Sequence, residues 1–371
     1  MTSKEAFLAL NLLPNIGPIR VRRLLERFGG PERILAASRS ELAAVSGIGG
    51  EMAEQIAAWE DHVDVEEEKR RIADHDISLV TLEDEEYPAA LREIYDPPFL
   101  LFVRGRLLKS DAAAVGVVGS RRTTHYGKEQ AKKLSFQLAR AGFCIVSGLA
   151  RGIDTAAHEG ALAAGGRTIA VLGSGIGNVY PPENQALADR IAESGAVVSE
   201  FPVLYVPDKQ SFPLRNRIVS GMSQGLLVVE APARSGSLIT ANQALEQGRT
   251  VFAVPGPVDR PTSEGCNRLI RQGATLVCSA RDIVEDLGAQ LNTLGLDFST
   301  EAGGDAPPSR QVDLNHAEKE ILSRLEEGES TIDALATATD LPVATVSTTL
   351  LQLEMKSLVK QLPGKYFTKL I

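Results

Sequence analysis

Seven short apolar runs between residues 81 and 287 alternate with stretches of helical periodicity, and this alternation restricts the fold more than any other feature. The runs are AVGVVGS, FCIVSG, TIAVLGSG, AVVSEF, GLLVVEA, TVFAVPG and ATLVCS. Continuous Val and Ile runs that end in Gly or Ser and lead into a helix are typical of buried parallel strands with crossover helices. The pattern therefore predicts an α/β domain over residues 80–290, built on a doubly wound, mostly parallel Rossmann-like sheet.

The segment before this sheet, residues 1–75, has helical periodicity. Leu13–Gly30 and Val45–Trp59 repeat one scheme, in which an Ile-Gly turn precedes an amphipathic helix. This repeat predicts an all-α helix-hairpin-helix or SAM-like domain. Glycine turns of this kind let backbone N–H groups approach a phosphate, so the domain could contact DNA. In the alternative, it is a helical packing module that does not contact DNA.

The segment after the sheet divides into a linker and a small domain. Residues 291–313 are rich in Gly, Pro and Ala and have no periodicity, which is typical of a linker. Residues 314–371 contain two helical stretches separated by Leu341-Pro342, followed by a β-wing around Pro363-Gly364. This order predicts a winged helix.

Composition narrows the class of protein. The chain has 371 residues, 43% of them hydrophobic and 23% charged, and no apolar run approaches the roughly 20 residues that a membrane span needs. Its first residues lack the basic start and cleavage site of a signal peptide, so we expect a cytoplasmic protein with no membrane contact. The 3 cysteines form no CxxC pair and the 5 histidines no HExxH motif, so we expect no metal site.

The net charge of -9 argues against a broadly basic nucleic-acid surface, so a polyanion would have to bind a local patch. Such a patch is predicted where ligands bind to open α/β sheets, beyond the carboxyl ends of the strands. Four of these ends combine Gly, Ser and Arg, which suits phosphate. The residues are Gly119, Ser120, Arg121, Gly148, Arg151, Gly173, Ser174, Gly175, Arg234, Ser235 and Ser237.

The stretch FPLRNRIVSG precedes the fifth apolar run and places two arginines around one asparagine. Between Pro213 and Gly221 we expect a fixed loop that presents Arg215, Asn216 and Arg217 to the same anion groove. In the structural alternative, Arg215 or Arg217 pairs with a buried carboxylate such as Glu230 or Glu200.

Other candidates also fit purely structural roles. Asp154 fits the N-cap of a helix, with His158 packed or paired beside it rather than acting as a base. Ser235 and Ser237 fit N-caps before LITANQALEQ as well as phosphate ligands, and the glycines of GSGIGN fit a tight turn between strand and helix.

Enzymatic alternatives find weak support. GSGIGN departs from the GxGxxG fingerprint at Asn178, although Glu200 lies about as far downstream as a ribose-binding acid would, so a dinucleotide site is disfavoured but stays open. The chain has no GxxxxGK[ST] motif of P-loop ATPases, and Ser147 with His158 is the one serine and histidine pair close in sequence. The groove is predicted to bind rather than to catalyse, with no cofactor.

Eight motifs occur in order: VGSRRTTHYG, SGLARGIDTAAH, TIAVLGSGIGNVYPPEN, SEFP, FPLRNRIVSG, VVEAPARSGSLITA, GRTVFAVPG and GCNRLIRQGA. Together they resemble the DNA-processing protein A (DprA, also called Smf) family of bacteria, densely over residues 80–290. The resemblance implies a protein without enzymatic activity that binds incoming single-stranded DNA during natural transformation. It also implies that the protein dimerises and helps to load the RecA recombinase onto that DNA.

The resemblance also implies roles for particular residues. Gly119 to Arg121 match the family's GSR motif, Arg215 to Arg217 its RNR motif and Arg234 to Ser237 its RSGS motif, all of which contact DNA. Some members have lysines where this chain has Pro182 and Pro232, which makes the arginines more important here. The family's dimer surface matches Asn267, Leu269, Ile270 and Leu276, although Leu269 and Leu276 fit core positions equally well.

Two rival functions are disfavoured by the sequence. A Rossmann-type nucleotide phosphoribohydrolase would carry a PGGxGT-type motif with a glutamate, and RSGSLITA lacks it. A transcription factor acting through the winged helix is disfavoured by charge, because residues 313–371 hold nine acidic and six basic residues. Within the predicted recognition helix, Lys356 is the one basic residue.

Overall fold

Each of the seven predicted runs forms a strand in the structure, a computed structural model that describes residues 1–293, 315–325, 328–355, 358–362 and 366–369. The chain divides into two units, Met1–Ala302 and Gly303–Ile371. Most of the predicted linker, residues 294–313, lies outside the described residues, as do Pro363, Gly364 and Lys356. The domain boundaries proposed from sequence stay a prediction.

The described residues of the first unit contain a sheet of nine strands in the order β1-β2-β6-β5-β4-β3-β7-β8-β9. Its strands are β1 Ile77–Thr81, β2 Leu100–Gly105, β3 Ala114–Val118, β4 Cys144–Ser147, β5 Thr168–Val171, β6 Ala196–Ser199, β7 Gly225–Val228, β8 Thr250–Ala253 and β9 Thr275–Leu276. From β6 to β9 all neighbouring strands are parallel, which confirms the predicted fold class.

Strands β1 and β2 were not predicted. They pair antiparallel with each other, and β2 pairs antiparallel with β6, so they extend the sheet at one edge. Neither strand is joined to its neighbour by a crossover helix, so the alternation of strand and helix that marks the other seven is missing here. The sequence around them therefore gives no comparable signal.

Helices cover both faces of the sheet and fill the segment before it. The first seven are α1 Ser3–Leu12, α2 Pro18–Phe28, α3 Pro31–Leu35, α4 Arg39–Ala43, α5 Gly50–Ala57, α6 Trp59–His62 and α7 Val65–Asp74. The remaining helices of this unit are α8 Ala89–Arg92, α9 His125–Arg140, α10 Ile153–Ala163, α11 Gln185–Ser194, α12 Ser211–Gly221, α13 Gly236–Glu246, α14 Glu264–Arg271 and α15 Ala280–Thr293.

The two predicted hairpins are present, with Gly17 and Gly49 as the N-caps of α2 and α5. These helices share one hydrophobic core with the β2 edge of the sheet. Phe7 of α1 packs against Phe99, with ring centroids 6.1 Å apart. The buried carboxylate of Glu68 accepts a hydrogen bond from the Val203 backbone N–H at 2.6 Å.

The order of the strands creates a topological switch point at β3. From β3 the chain winds outward through β4, β5 and β6, and then returns to the other side of β3 to form β7, β8 and β9. Connections on the two sides leave in opposite directions, which opens a crevice at the carboxyl ends of β3 and its neighbours β4 and β7. Ligands of doubly wound sheets bind in such a crevice.

The second unit has the predicted winged-helix order. It comprises α16 His316–Leu325, β10 Ser330–Thr331, α17 Ile332–Thr339, α18 Val343–Met355, β11 Val359–Leu362 and β12 Tyr366–Lys369. Its three strands pair in the order β10-β12-β11. Apolar side chains from the helices and strands, among them Ile321, Leu335, Val346 and Phe367, form its core. Among the residues that the structure describes, no helix combines the length and the apolar character that a membrane span requires.

Candidate nucleic-acid interface

A cavity of about 720 Å³ occupies the crevice at the switch point, and we refer to it as the groove. Its basic lining residues are Arg121, Arg122, Lys209, Arg215 and Arg234. Asp154 is the one acidic residue among the described lining residues. Although the chain is acidic overall, the groove is a locally cationic site, as the composition required of any polyanion-binding surface.

The loop after β3 presents two of these cations. The Ser120 N–H donates to the Glu230 carbonyl at 2.7 Å, and the Ser120 hydroxyl accepts from the Arg122 N–H at 3.1 Å. A side chain at Gly119 would place its Cβ 2.5 Å from Ile153 Cγ1, so only glycine lets the loop pass so close to α10. Arg121 and Arg122 are exposed, and neither forms an ion pair with a described residue. Both guanidinium groups are available to an anion.

Glu230 fixes this loop to the start of α9, a role that the sequence analysis missed. Its buried carboxylate accepts hydrogen bonds from the Thr124 N–H at 2.9 Å and the Thr124 hydroxyl at 3.1 Å, and it also accepts from the Thr123 hydroxyl. Glu230 therefore pairs with the loop and not with Arg215 or Arg217. The pattern VVEAPARSGS offered no signal of this contact, because its partners lie more than 100 residues earlier in the chain.

The start of α13 also lines the groove. Ser235 is the N-cap, and its hydroxyl accepts from the Ser237 N–H at 3.3 Å. The predicted N-cap is therefore correct for Ser235, whereas Ser237 lies in the first turn of the helix. Arg234 immediately precedes the cap and is exposed. The free N–H groups of a helix start and an adjacent arginine form an arrangement suited to phosphate.

FPLRNRIVSG forms helix α12, so the expected fixed loop was wrong. Pro213 lies in the first turn, where the missing N–H costs no helical hydrogen bond. The following apolar residues, including Ile218 and Val219, bury one face of the helix. The helical conformation separates the two arginines, because residues i and i+2 differ by about 200° around a helix axis.

Arg215 forms part of the floor of the groove. It is buried, and its Nη1 donates to the carbonyl oxygens of Gly148 and Val171, at the carboxyl ends of β4 and β5. Burial lowers the pKa of Arg215 to about 10, which leaves it charged at neutral pH. Nearby, burial raises the pKa of the Asp154 carboxyl, while the positive charge of Arg215 opposes that rise. Arg215 thus joins two strand ends and adds positive charge beneath the groove.

Arg217 points away from the groove and does not line it. Its guanidinium bonds the Glu200 carboxylate and lies 3.2 Å from Asp96 Oδ2. Arg217 is buried and the Glu200 side chain is 11% exposed, and this burial raises the pKa of the Glu200 carboxyl. This geometry corresponds to the structural alternative, in which Arg217 pairs with Glu200, and does not place Arg217 at an anion site.

The loop after β5 is also packed inside the protein. Gly173, Ser174 and Gly175 are buried, and none of the three lines the groove. A Cβ at Gly175 would lie 2.1 Å from two backbone carbonyl oxygens, those of Pro202 and Val203. These residues therefore form the tight turn that was the alternative to phosphate binding.

Arg151 lies next to the groove in a paired state. It is exposed and forms an ion pair with Glu183, with Nη2 and Oε2 3.0 Å apart. Together with Gly148, Arg121 and Tyr180 it lines a shallow depression that adjoins the groove. An exposed pair of this kind contributes little to stability, so an incoming anion could exchange with Glu183.

Two aromatic rings lie at the same edge. Phe212 and the exposed Tyr180 have ring centroids 5.7 Å apart. The guanidinium carbon of Arg121 lies 4.7 Å from the Phe212 ring centroid. Aromatic rings beside cations are the features on which unpaired bases stack in proteins that bind single strands.

Asp154 and His158 have structural surroundings. Gly152 is the N-cap of α10, so Asp154 lies inside the helix, where it accepts from the Ala150 N–H at 3.3 Å. His158 is buried with its Nδ1 2.7 Å from Thr168 Oγ1, and burial lowers its pKa to about 3. The Ser147 hydroxyl donates to the Val117 carbonyl at 2.6 Å. Ser147 and His158 are thus each bonded to another group, and the suggested pairing between them is not formed.

The segment proposed as a dimer surface is partly internal. Leu269 is buried in the core and Ile270 is half-buried, whereas Leu276 on the short edge strand β9 is 46% exposed. The Asn267 side chain donates to the Gly256 carbonyl at 2.9 Å and so braces a neighbouring loop. A dimer surface on this segment stays a prediction.

The arginines of the first hairpin hold the two hairpins together. Arg20 donates to the Gly47 carbonyl at 3.3 Å and Arg23 to the Ser46 carbonyl at 3.0 Å. Both contacts join α2 to the turn before α5. These guanidinium groups are therefore used within the protein, which favours the packing alternative for this domain.

Fold and site together define a class: a doubly wound α/β protein with a cationic groove at its switch point, preceded in the chain by a helix-hairpin-helix tandem and followed in the chain by a winged helix. Residues 78–288 match the family model described as DNA recombination-mediator protein A. Residues 305–365 match the DprA winged helix domain, and residues 7–58 match a SAM-like helix-hairpin-helix tandem. The chain belongs to the DprA/Smf family.

Relatives and solved structures agree with this assignment. Protein Smf of Synechocystis is 36% identical over 99% of both chains. The X-ray structure of DNA processing protein A from Streptococcus pneumoniae matches with a TM-score of 0.69 and 36% identity, over 77% of this chain and 98% of that one. DNA processing protein A from Helicobacter pylori, whose structure concerns a unique single-stranded DNA binding mode, matches with a TM-score of 0.52 and 31% identity, over 57% and 97%.

Proposed function

We propose that this protein binds single-stranded DNA in the groove at the switch point, with the strand's phosphates on Arg121, Arg122, Lys209 and Arg234. The observation that carries the proposal is the set of exposed, unpaired cations around one cavity in a chain of net charge -9. The N-terminus of α13 adds backbone donors. Membership of a family that includes a structurally characterised single-strand binder supports the same conclusion.

The aromatic edge favours a single strand over a duplex. Bases of a single strand are free to stack, and Tyr180 and Phe212 offer ring faces beside the cations. Base pairs of a duplex are already stacked and shielded by their backbones. Phosphate contacts carry no base information, so sequence preference should be weak.

The groove is proposed to bind without catalysis. The groups that could form a nucleophile and a base, Ser147 and His158, are buried and engaged with Val117 and Thr168. A phosphoribohydrolase-like function would need a carboxylate well exposed to substrate, whereas Asp154, the one acidic residue among the described residues that line the groove, is only 6% exposed.

Two finer steps follow from the family resemblance. We propose that the protein acts as a homodimer through the edge formed by α14 and β9, where Leu276 is exposed. The bound strand is then passed to the RecA recombinase, in keeping with the family description as a recombination mediator. Sedimentation of the protein and a recombinase filament assay on coated DNA test these two steps.

The main proposal is tested by titrating purified protein into labelled single-stranded and double-stranded oligonucleotides at several salt concentrations. We expect tighter binding of the single strand and a steep fall in affinity with salt, because bound cations release condensed counterions. Equal affinity for both forms, or affinity independent of salt, would overturn it.

A further inference from the structure

The outer face of α9 is strongly basic and begins at the wall of the groove. Its exposed residues include Lys128, Lys132, Lys133 and Arg140, whereas its acidic residue Glu129 is half-buried. Lys128 and Lys132 are four positions apart, so they lie on one face of the helix, about 6 Å apart along its axis. We refer to Arg122, Lys128 and Lys132 as the α9 stripe.

The stripe is continuous with the groove. Arg122 lines the cavity and precedes the helix by three residues. Strands β3 and β4 are parallel, so α9 begins at the carboxyl edge of the sheet, where the groove lies, and runs back across its face. A single DNA strand that leaves the groove past Arg122 would therefore meet Lys128 and then Lys132.

None of the stripe's cations forms an ion pair with a described residue. Many other exposed cations of the same unit do, for example Lys109 with Glu85 and Arg39 with Glu54. Two of the three acidic residues of α15, which packs against α9, are engaged elsewhere: Glu285 pairs with Arg281, and Asp282 accepts from backbone N–H groups. The third, Asp286, forms no ion pair with a described cation, those of the stripe included. Like charges at i and i+4 repel each other and destabilise a helix. An anion bound to Lys128 and Lys132 would offset this repulsion.

We propose that the α9 stripe is a second contact region, which binds the phosphates of the single strand as it leaves the groove. The inference rests on the proposed function, because it extends the path of the same ligand. In a stacked strand successive phosphates are about 3.4 Å apart, so two neighbouring lysines about 6 Å apart can serve successive or alternate phosphates. The stripe would lengthen the site without adding base specificity.

The test compares two oligothymidylates, one of about 6 nucleotides and one of about 16 nucleotides, both within the range of site sizes of single-strand-binding domains. The variant is Lys128→Gln/Lys132→Gln in the full chain. We expect its affinity for the long strand to fall on the order of tenfold, and the slope of log affinity against log salt to decrease by about 1.4, since each contact to a single strand contributes about 0.7. Affinity for the short strand should change less than about twofold.

Two controls make the result specific. Arg106→Gln/Arg190→Gln removes the same charge from the residue that follows β2 and from α11, and it should leave both affinities unchanged. Lys128→Arg/Lys132→Arg should keep the long-strand affinity of the natural chain. The proposal would be overturned if the lysine variant lost the same affinity for both lengths or lost none for the long strand. It would also be overturned if the variant lost affinity only for a duplex probe.

The outcome also separates this inference from the proposed function. If the natural chain binds neither oligonucleotide, the groove itself is refuted. If Arg121→Ala weakens both lengths while the lysine variant binds both normally, the groove stands and only the stripe is wrong.

Discussion

The Arg121 guanidinium lies against the Phe212 ring, with its central carbon 4.7 Å from the ring centroid. A cation held on an aromatic face keeps its planar fork directed at one site, here the groove wall between the ends of β3 and α12. Arg234, immediately before the N-cap of α13, lines the same groove.

Arg121→Ala and Arg234→Ala should each weaken binding of single-stranded DNA roughly ten- to hundredfold, because a charge-assisted contact contributes about 1.5 to 3 kcal/mol. The melting temperature should stay close to that of the natural chain, since both side chains are exposed. Fluorescence anisotropy and thermal unfolding on the same samples measure the two effects. Arg190→Ala, on α11, is the matched control, and normal DNA affinity in both groove variants would contradict the site.

Arg217→Ala should affect stability rather than DNA affinity. It leaves the buried Glu200 carboxylate without its partner, which we expect to cost about 3 to 5 kcal/mol of unfolding free energy. Urea denaturation measures this change, and replacing both residues with Met should recover part of the loss. A variant with unchanged stability and greatly reduced DNA affinity would show that Arg217 contacts the strand after all.

His158 should make the protein less stable in acid. Thr168 Oγ1 donates to the Ile145 carbonyl at 2.7 Å, so it accepts from His158 Nδ1, and Nε2 is a buried acceptor without a partner. The folded-state pKa of about 3 lies below the ordinary value of 6.5, so below pH 6.5 the unfolded state takes up a proton that the folded state does not. Stability should therefore fall by up to about 1.4 kcal/mol per pH unit from pH 6.5 toward pH 3.

Urea denaturation at pH 7, 6 and 5 tests the role of His158. In a His158→Leu variant this component of the pH dependence should disappear, even though the variant is less stable at pH 7 because Thr168 loses a partner. An unchanged pH dependence in the variant would assign the acid sensitivity to other groups.

Removal of the winged-helix unit, by ending the chain at Ala302, should change single-strand affinity less than about threefold, because the acidic residues outnumber the basic ones over residues 313–371. The full chain, titrated in parallel, is the reference. Loss of binding on truncation would mean that the second unit supplies essential contacts.

The seven apolar runs, the two Ile-Gly repeats and the Ser235 cap could be predicted from the sequence, because each depends on residues near one another in the chain. A buried parallel strand needs a continuous apolar run, and an N-cap needs a hydroxyl beside the first helical turn. The strand ends that carry Gly, Ser and Arg could be predicted for the same reason, because each lies directly after an apolar run. Once the sheet was predicted, parallel pairing placed those ends along one edge.

The tertiary structure alone decided which of those residues form the groove. Arg215 and Arg217 separate because their segment is a helix that buries an apolar face on the sheet, and burial then determines which arginine meets Glu200 and which lies beneath the groove. Lys209, Arg122 and the bracing by Glu230 were not predicted. Lys209 and Arg122 line one groove because the fold brings their distant segments together, and Glu230 bonds residues more than 100 positions earlier in the chain. Local patterns determine which elements form, whereas the partners of a long charged side chain depend on packing between elements, and no local pattern encodes that packing.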